Sequence, residues 1–582
     1  MATATTTRTT RTLPDVPDIL HHVFSYLDPV HQLEDGAVYE SRRSLAIAAR
    51  TCQGFTGPAL DVLWRRLPDD QPLADLLCAL EIGEMEKPRK DLGRNKPGRH
   101  RLPNQDEGGY RISGAAEEYE QRWKLSRGYD IKYLLRCIDD PRTHPGWPRF
   151  MEYAARVRTI TLFSFDGPAW CGIWEDLQSR TQGAPILPKL SSVAFCRLST
   201  GALTPGALTL ISPSVRKLNC FNSAPEIEKL RLEVAPSLLG APLLRTRCSY
   251  VRHLDVFPQL DFEELLFFTA LPALQYLSIS LSSNPDLGRT ALPLLFESIT
   301  TLVVEGTWAS VDTLLNVVLL PSMNTLSVTG WDYGEPAAEL AKSAAQCFRT
   351  ISTRHTTISS LSISSAPGRV PPSSGCVHFP MKLVTDTFAG GLLDLAHPLL
   401  SLSGLRHLSL GFPNYFDITC TPADWRAVAE SLRALETFHL RIWPYFGFAI
   451  QDGGRRLRQE LERPRGGPLD ALVHFARSCP RLRVLHLPAM ELVGQEGPGA
   501  ALAVPRGGDE PHGLRTLIVP KVLLPPGRPD LVAKVAEVVG AAFPLVASAF
   551  LQERLVVEGD WAVVEGAPGC PECSQGSKLT FA

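Results

Sequence analysis

An apolar residue followed by others at +3 and +5 recurs twelve times between Val157 and Val519, and this repeat constrains the fold more than any other feature of the chain. The set runs Val157-Ile160-Leu162, Leu190-Val193-Phe195, Val215-Leu218-Cys220, Val251-Leu254-Val256, Leu274-Leu277-Ile279 and Ile299-Leu302-Val304. It continues as Met323-Leu326-Val328, Ile358-Leu361-Ile363, Leu405-Leu408-Leu410, Leu435-Phe438-Leu440, Leu482-Leu485-Leu487 and Leu514-Leu517-Val519. Side chains alternate along an extended chain, so the +3 and +5 residues share the inward face and the first residue sits at the turn entering the strand. So short a strand cannot bury a face alone, but stacked on its neighbours it builds a continuous core. Successive starts lie 23 to 47 residues apart, and the longer gaps have room for helices. Helices are predicted from Pro336 to Phe348, from Leu469 to Arg477, and after Thr421, an N-cap followed by Pro422 at the first helical position and Asp424 in the first turn. The expected fold class is α/β, with parallel strands backed by helices or loops. An ordinary α/β domain with twelve buried strands is the competing architecture.

The 582 residues exceed what one compact core holds, so an elongated repeat array or several domains are expected. Lys and Arg number 59 against 61 Asp and Glu, a net charge of −2 that gives no global attraction to nucleic acid or to an anionic membrane. The 13 cysteines are scattered without a framework, which suits reduced thiols in cytoplasm or nucleus. The longest nearly uncharged run, Val538 to Leu551, is broken by Gly540 and Pro544 and is too short to span a bilayer. Residues 1–12, rich in Thr and Arg, read as a disordered tail. Residues 68–122 read as a linker whose polar part lacks the apolar content to order itself, 123–150 as bridging helices, 151–565 as the repeat domain and 566–582 as a flexible C-terminal tail.

Residues 13–67 form a separate pattern. A helix after Pro17 places Ile19, Leu20, Val23, Phe24 and Leu27 on one stripe; a second uses Leu45, Ala48, Ala49, Cys52 and Phe55; a third opens at Pro58 and carries Leu60, Leu63, Trp64 and Leu67. Residues 34–43 are mostly polar and read as an insertion looped out between the first two helices. Three helices in about fifty-five residues bury only ~60% of their unfolded surface, so a packing partner is implied. The elements Leu13-Pro14, Val23-Phe24-Ser25-Tyr26-Leu27-Asp28-Pro29, Thr51-Cys52-Gln53-Gly54-Phe55 and Leu63-Trp64-Arg65-Arg66-Leu67 together resemble an F-box, although Leu13-Pro14 sits further from its helix than is usual there and Val16-Pro17 could take its place. The repeats resemble a divergent leucine-rich-repeat domain without the usual asparagine at +8. With Tyr153 to Arg158 between them, the arrangement is similar to a large family of fungal F-box proteins.

That resemblance implies a three-helix F-box-like module followed by an irregular leucine-rich-repeat solenoid, acting as the substrate-recognition subunit of an SCF-type ubiquitin ligase. The partners implied are a Skp-type adaptor, through it a cullin, and a protein substrate. Leu13, Pro14, Ile19, Leu20, Val23, Phe24, Leu27 and Trp64 are the implied adaptor-binding or packing residues. A leucine-rich-repeat scaffold without ligase role, its N-terminal helices merely capping the repeats, is the alternative.

No catalytic grouping emerges: the chain has no G-x-S-x-G elbow, no phosphate loop and no H-E-x-x-H, and it reads as no enzyme and as needing no cofactor. Cys570 and Cys573 have the spacing of half a zinc site with no second pair nearby, so no metal is expected. The outward +2 and +4 positions are mostly small or polar, with His253 and His407 at +2, His439 and His486 at +4, and no acidic partner evident; His407 and His439 are expected near neighbours. Phe165, Trp308, Trp331, Phe412 and Trp443 fall just beyond strand ends, with Tyr445 close by. Two placements are open. They form a ridge that contacts substrate, with Trp308, Trp331, Trp443 and Tyr445 as binding candidates, or they fill the interior behind the strands, which is the favoured placement.

Overall fold

The structure is a computed structural model and describes residues 17–28, 35–86, 132–136, 140–164, 172–197, 209–222, 248–260, 265–266, 268–281, 293–331, 336–366, 388–413, 416–443, 470–488, 490–491, 512–519, 522–523, 539–540, 542–543, 555–558 and 561–564. Two units divide the chain: the first holds Met1–Ala224 and Leu232–Val251, the second Pro225–Arg231 and Arg252–Ala582. Among the described residues thirteen strands, numbered β1 to β13 below, form the main parallel ladders, four in the first unit and nine in the second.

The first unit opens with three helices, α1 (Pro17–Ser25), α2 (Asp35–Thr51) and α3 (Gln53–Arg65). Residues 35–43 are therefore the first turns of α2, which corrects the expectation of a looped-out insertion. Their polarity has a structural reason. Arg42 Nη1 donates to the carbonyls of Leu63 at 3.3 Å and Arg66 at 3.1 Å, satisfying acceptors at the end of α3 that the helix itself leaves open. β1 (Arg66–Leu67) follows, then α4 (Gln71–Ala79).

The expected linker and bridge are also more structured than their composition suggested. Gly83–Glu86 pairs antiparallel with Lys132–Leu135, and the buried Tyr133 donates its phenol hydrogen to Asp75 Oδ1 at 2.8 Å. A strand thus stands inside the segment expected to be helical. Four residues with three apolar members cannot distinguish helix from strand by periodicity. The bridging helix is α5 (Trp147–Ala154), and α6 (Gly172–Arg180) follows β2 (Thr159–Ser164). β3 (Ser192–Arg197) and β4 (Lys217–Asn222) complete the ladder, with Arg66 opposite Thr159, Thr159 opposite Ser192 and Ser192 opposite Lys217.

In the second unit the ladder strands are β5 (His253–Leu260), β6 (Tyr276–Leu281), β7 (Thr301–Thr307), β8 (Thr325–Trp331), β9 (Ser360–Ala366), β10 (His407–Pro413), β11 (Thr437–Trp443), β12 (Val484–His486) and β13 (Thr516–Ile518). Each of the twelve strands from β2 to β13 begins two residues after the first apolar member of its repeat. That first member is buried in every case, as are those inward residues whose side chains are described, for example Leu302 and Val304, Leu326 and Val328, Leu408 and Leu410. One strand per repeat, in parallel register with the next within each unit, is the arrangement expected of a leucine-rich-repeat domain.

Helices fill the longer gaps: α7 (Trp308–Val317), α8 (Ala337–Arg354), α9 (Leu392–Ala396), α10 (Pro422–Ser431) and α11 (Asp470–Ser478). α10 starts as the sequence predicts. Thr421 Oγ1 accepts from the Asp424 amide at 3.2 Å, and the Asp424 carboxylate accepts from the Thr421 amide at 2.7 Å, a reciprocal cap. The inward side chains meet this helical layer, as where Phe438 of β11 lies 6.3 Å from Trp425 of α10 and 5.1 Å from Phe475 of α11.

Candidate functional site

α1 presents two apolar stripes rather than one. Leu20 and Phe24 turn inward and join Leu45, Ala59 and Val62 in a small core, against which Leu27, Ala48, Ala49, Phe55 and Leu63 pack. Phe24 meets Phe55 edge to face at 5.6 Å. On another side of the same helix Ile19 and Val23 are 51% and 49% exposed, and Tyr26, 70% exposed in the turn that follows α1, continues their spacing. Ile47 of α2 is exposed too. Single exposed apolar residues are ordinary, but two in line on a nine-residue helix, continued by Tyr26 in the turn after it, are a surface without a covering layer.

The eight residues implied for adaptor contact or packing therefore separate by role. Ile19 and Val23 face outward, Leu20 and Phe24 form the core, and Leu27 lies at its margin. Trp64 is half-buried against Tyr153, ring centroids 4.9 Å apart, and so packs the module onto α5. Leu13 and Pro14 lie outside the described residues. Tyr26 was missed by sequence reasoning, although its position seven residues after Ile19 carried the signal.

The module is fastened to the rest of its unit by charge as well. Arg156, ahead of β2, reaches Asp61 of α3 at 2.8 Å, and within the module Arg66 pairs with the buried Asp28 at 3.7 Å. Such contacts fix orientation more than they stabilise, because one partner of each pair remains in water.

In the second unit the ladder face bearing the +2 and +4 residues is lined by small hydroxyls: Thr301, Thr325, Ser327, Ser360, Ser362 and Ser409. Thr329 and Ser364 on adjacent strands are 3.1 Å apart. Histidines interrupt the face at its ends. His253 stacks on Tyr276 at 3.8 Å, and its Nε2 lies 3.0 Å from Asp255, an acidic partner that sequence reasoning did not find.

The expected neighbourhood of His407 and His439 is corrected by the register. His407 stands opposite Thr437, and His439 opposite Ser409 on one side and His486 on the other. The His439 and His486 rings are 5.7 Å apart, and Arg441 Nε donates to His486 Nδ1 at 3.3 Å. Burial, helped by the charge of Arg441 and by His439, pushes the His486 imidazole down to about 4 and keeps it neutral at physiological pH. Among the described residues no group of three or more His, Cys, Asp and Glu side chains is placed to hold a metal. Cys570 and Cys573 lie outside them.

The substrate ridge of aromatics is corrected as well. Trp308 and Trp331 are 2% and 5% exposed, and Phe412 is fully buried. Trp308 is the first residue of α7, where the Thr307 cap turns the chain so that the indole covers Gly330 and meets Phe348 edge to face at 5.8 Å. Buried indoles fill the interior and offer nothing to a partner. Trp443 closes β11, and its side chain, like Phe165 and Tyr445, lies outside the described residues. No helix among the described residues is long and apolar enough to cross a membrane.

No protein-family model matches the chain, and no curated protein matches it. Among solved structures it is similar to a Bacteroides fragilis protein at 12% identity and a TM-score of 0.25, over 61% of this chain and 82% of that one. It is also similar to a leucine-rich-repeat protein of Leptospira interrogans at 12% identity and a TM-score of 0.25, over 65% of this chain and 82% of that one. Superpositions at that score carry no weight for function, and the repeat architecture rests on the ladder itself.

Proposed function

We propose that this chain is the substrate-recognition subunit of an SCF-type cullin ubiquitin ligase, its N-terminal helices docking on a Skp-type adaptor and its repeats holding a protein substrate. The observation that carries the reading is the division of α1. The inner stripe gives the module a core of its own, and the outer stripe of Ile19, Val23 and Tyr26 remains for a partner. Covering the exposed half of Ile19 and of Val23 contributes roughly 1 kcal/mol each. The subunit supplies no reacting group; it raises the rate of ubiquitin transfer by proximity, in the cytoplasm or nucleus. The hydroxyl-rich ladder face is the proposed substrate surface.

A second reading, a repeat scaffold with no ligase role, draws support from the contacts that tie the module down, Trp64 on Tyr153 and Arg156 on Asp61. Binding of the full-length chain to a purified Skp-type adaptor separates the two. Ile19→Asp with Val23→Asp leaves the fold intact, since both residues are half exposed, and weakens adaptor binding more than a hundredfold by placing unpaired carboxylates in the interface. Absence of adaptor binding by the unaltered chain, or equal binding by the double variant, removes the ligase reading and leaves the scaffold.

A further inference from the structure

In the first unit the end of α3, the turn after α5 and the loop before β3 converge on a cleft of about 430 Å³, within the range of roughly 300–1,000 Å³ typical of ligand pockets. His21, Arg65, Arg156, Arg158 and Lys189 line it, and Asp61 and Glu152 are the carboxylates among its lining residues. Four fixed cations thus face two anions, an excess of two positive charges.

The anions are already engaged. Arg156 takes Asp61 through Nη1 at 2.8 Å and Glu152 through Nη2 at 2.9 Å, and Glu152 also receives Arg149 at 3.1 Å. Among the described residues Arg65, Arg158 and Lys189 have no carboxylate within salt-bridge distance. Two of these three are nevertheless held in place, by neutral acceptors. Arg65 Nη2 donates to His21 Nε2 at 2.7 Å, the only direction possible because a guanidinium cannot accept. Arg158 Nη1 donates to the carbonyl of Ala155 at 2.8 Å, leaving its Nη2 and Nε donors uncommitted to any carboxylate. Neutral acceptors order the guanidinium groups without cancelling their charge. The result is a set of oriented, uncompensated donors from three separate segments, a geometry that matches the several oxygens and double charge of a phosphate monoester better than a single carboxylate.

We infer that this cleft binds a phosphate monoester. The assignment stands apart from the adaptor reading, since neither Ile19 nor Val23 lines the cleft. The phosphate is carried by a protein or is a small soluble anion, and the probes distinguish these.

Calorimetric titration of the full-length chain would use inorganic phosphate and a Gly-Ser-rich hexapeptide bearing phosphoserine, with serine and glutamate versions as controls. A phosphate-bearing probe is expected to bind, more weakly as ionic strength rises. Arg158→Gln and the exposed Lys189→Gln are each expected to weaken binding on the order of tenfold, the loss of one charge-assisted hydrogen bond. Arg43→Gln, on the exposed side of α2 and outside the cleft, leaves binding unchanged. Tighter binding of the phosphopeptide than of inorganic phosphate assigns the site to a phosphorylated protein, and equal binding assigns it to a soluble anion. Failure of both phosphate probes to bind, equal binding of the glutamate peptide, or indifference to both cleft variants overturns the inference.

Discussion

At Gly330 the space a side chain would need is taken by the indole of Trp308, since a Cβ there would lie 2.1 Å from Cε2. Gly330→Ala is therefore expected to lower stability by about 1–3 kcal/mol through overpacking, whereas Gly404→Ala, with nothing within reach, changes it by less than ~0.5 kcal/mol. Urea midpoints of the two variants test the contrast. The sequence signals half of this pair: a glycine inside a strand pattern announces a close approach. It does not say what approaches, because Trp308 belongs to the preceding repeat and its direction is set by the Thr307 cap. The same holds on α1. Spacing places Ile19, Leu20, Val23 and Phe24 on one broad stripe, and only the position of α3 decides which of them face the core.

Among the elements, those whose determinants are local were legible. The start of α10 is written in Thr421, Pro422 and Asp424, and the hydrogen bonds of the capping box follow the written order. Thr421→Ala is expected to cost about 1 kcal/mol, read as a shift in urea midpoint, while Thr421→Ser retains most of the bond. The twelve repeat strands were legible for a related reason, since each carries its own +3 and +5 signature. Elements defined by distant partners were not. The strand at Lys132–Leu135 exists because Gly83–Glu86 lies beside it, and α2 claims a polar stretch because Arg42 is needed at the end of α3. Composition registers neither requirement.

For the molecule as a whole, acid sensitivity is a summed property of three histidines in the second unit, the buried His355 and His486 and the half-buried His512. His355 Nε2 donates to the Leu315 carbonyl, His512 Nε2 donates to that of Cys479, and His486 Nδ1 accepts from Arg441; burial lowers all three from the ordinary imidazole value of 6.5, His486 to about 4. The unfolded chain therefore binds more protons than the folded one in this window. Their contribution is complete above the unfolded value and is lost as pH falls, for His486 down to about 4. Urea midpoints measured between about pH 7.5 and 4.5 should decline, and His486→Asn should flatten the slope. Function was legible in the sequence only as a resemblance, because an interaction surface is defined by what it leaves uncovered, and exposure is a property of the assembled chain. The antiparallel pair in the first unit adds something of a different kind. Glu86 stands opposite Lys132, so the two positions that bracket residues 87–131 lie side by side. The rungs from Gly83 to Glu86 set no requirement on the length of chain between Glu86 and Lys132. The pair is expected to serve as a splice port, a position where a reporter grafted between Glu86 and Lys132 leaves the rungs in register.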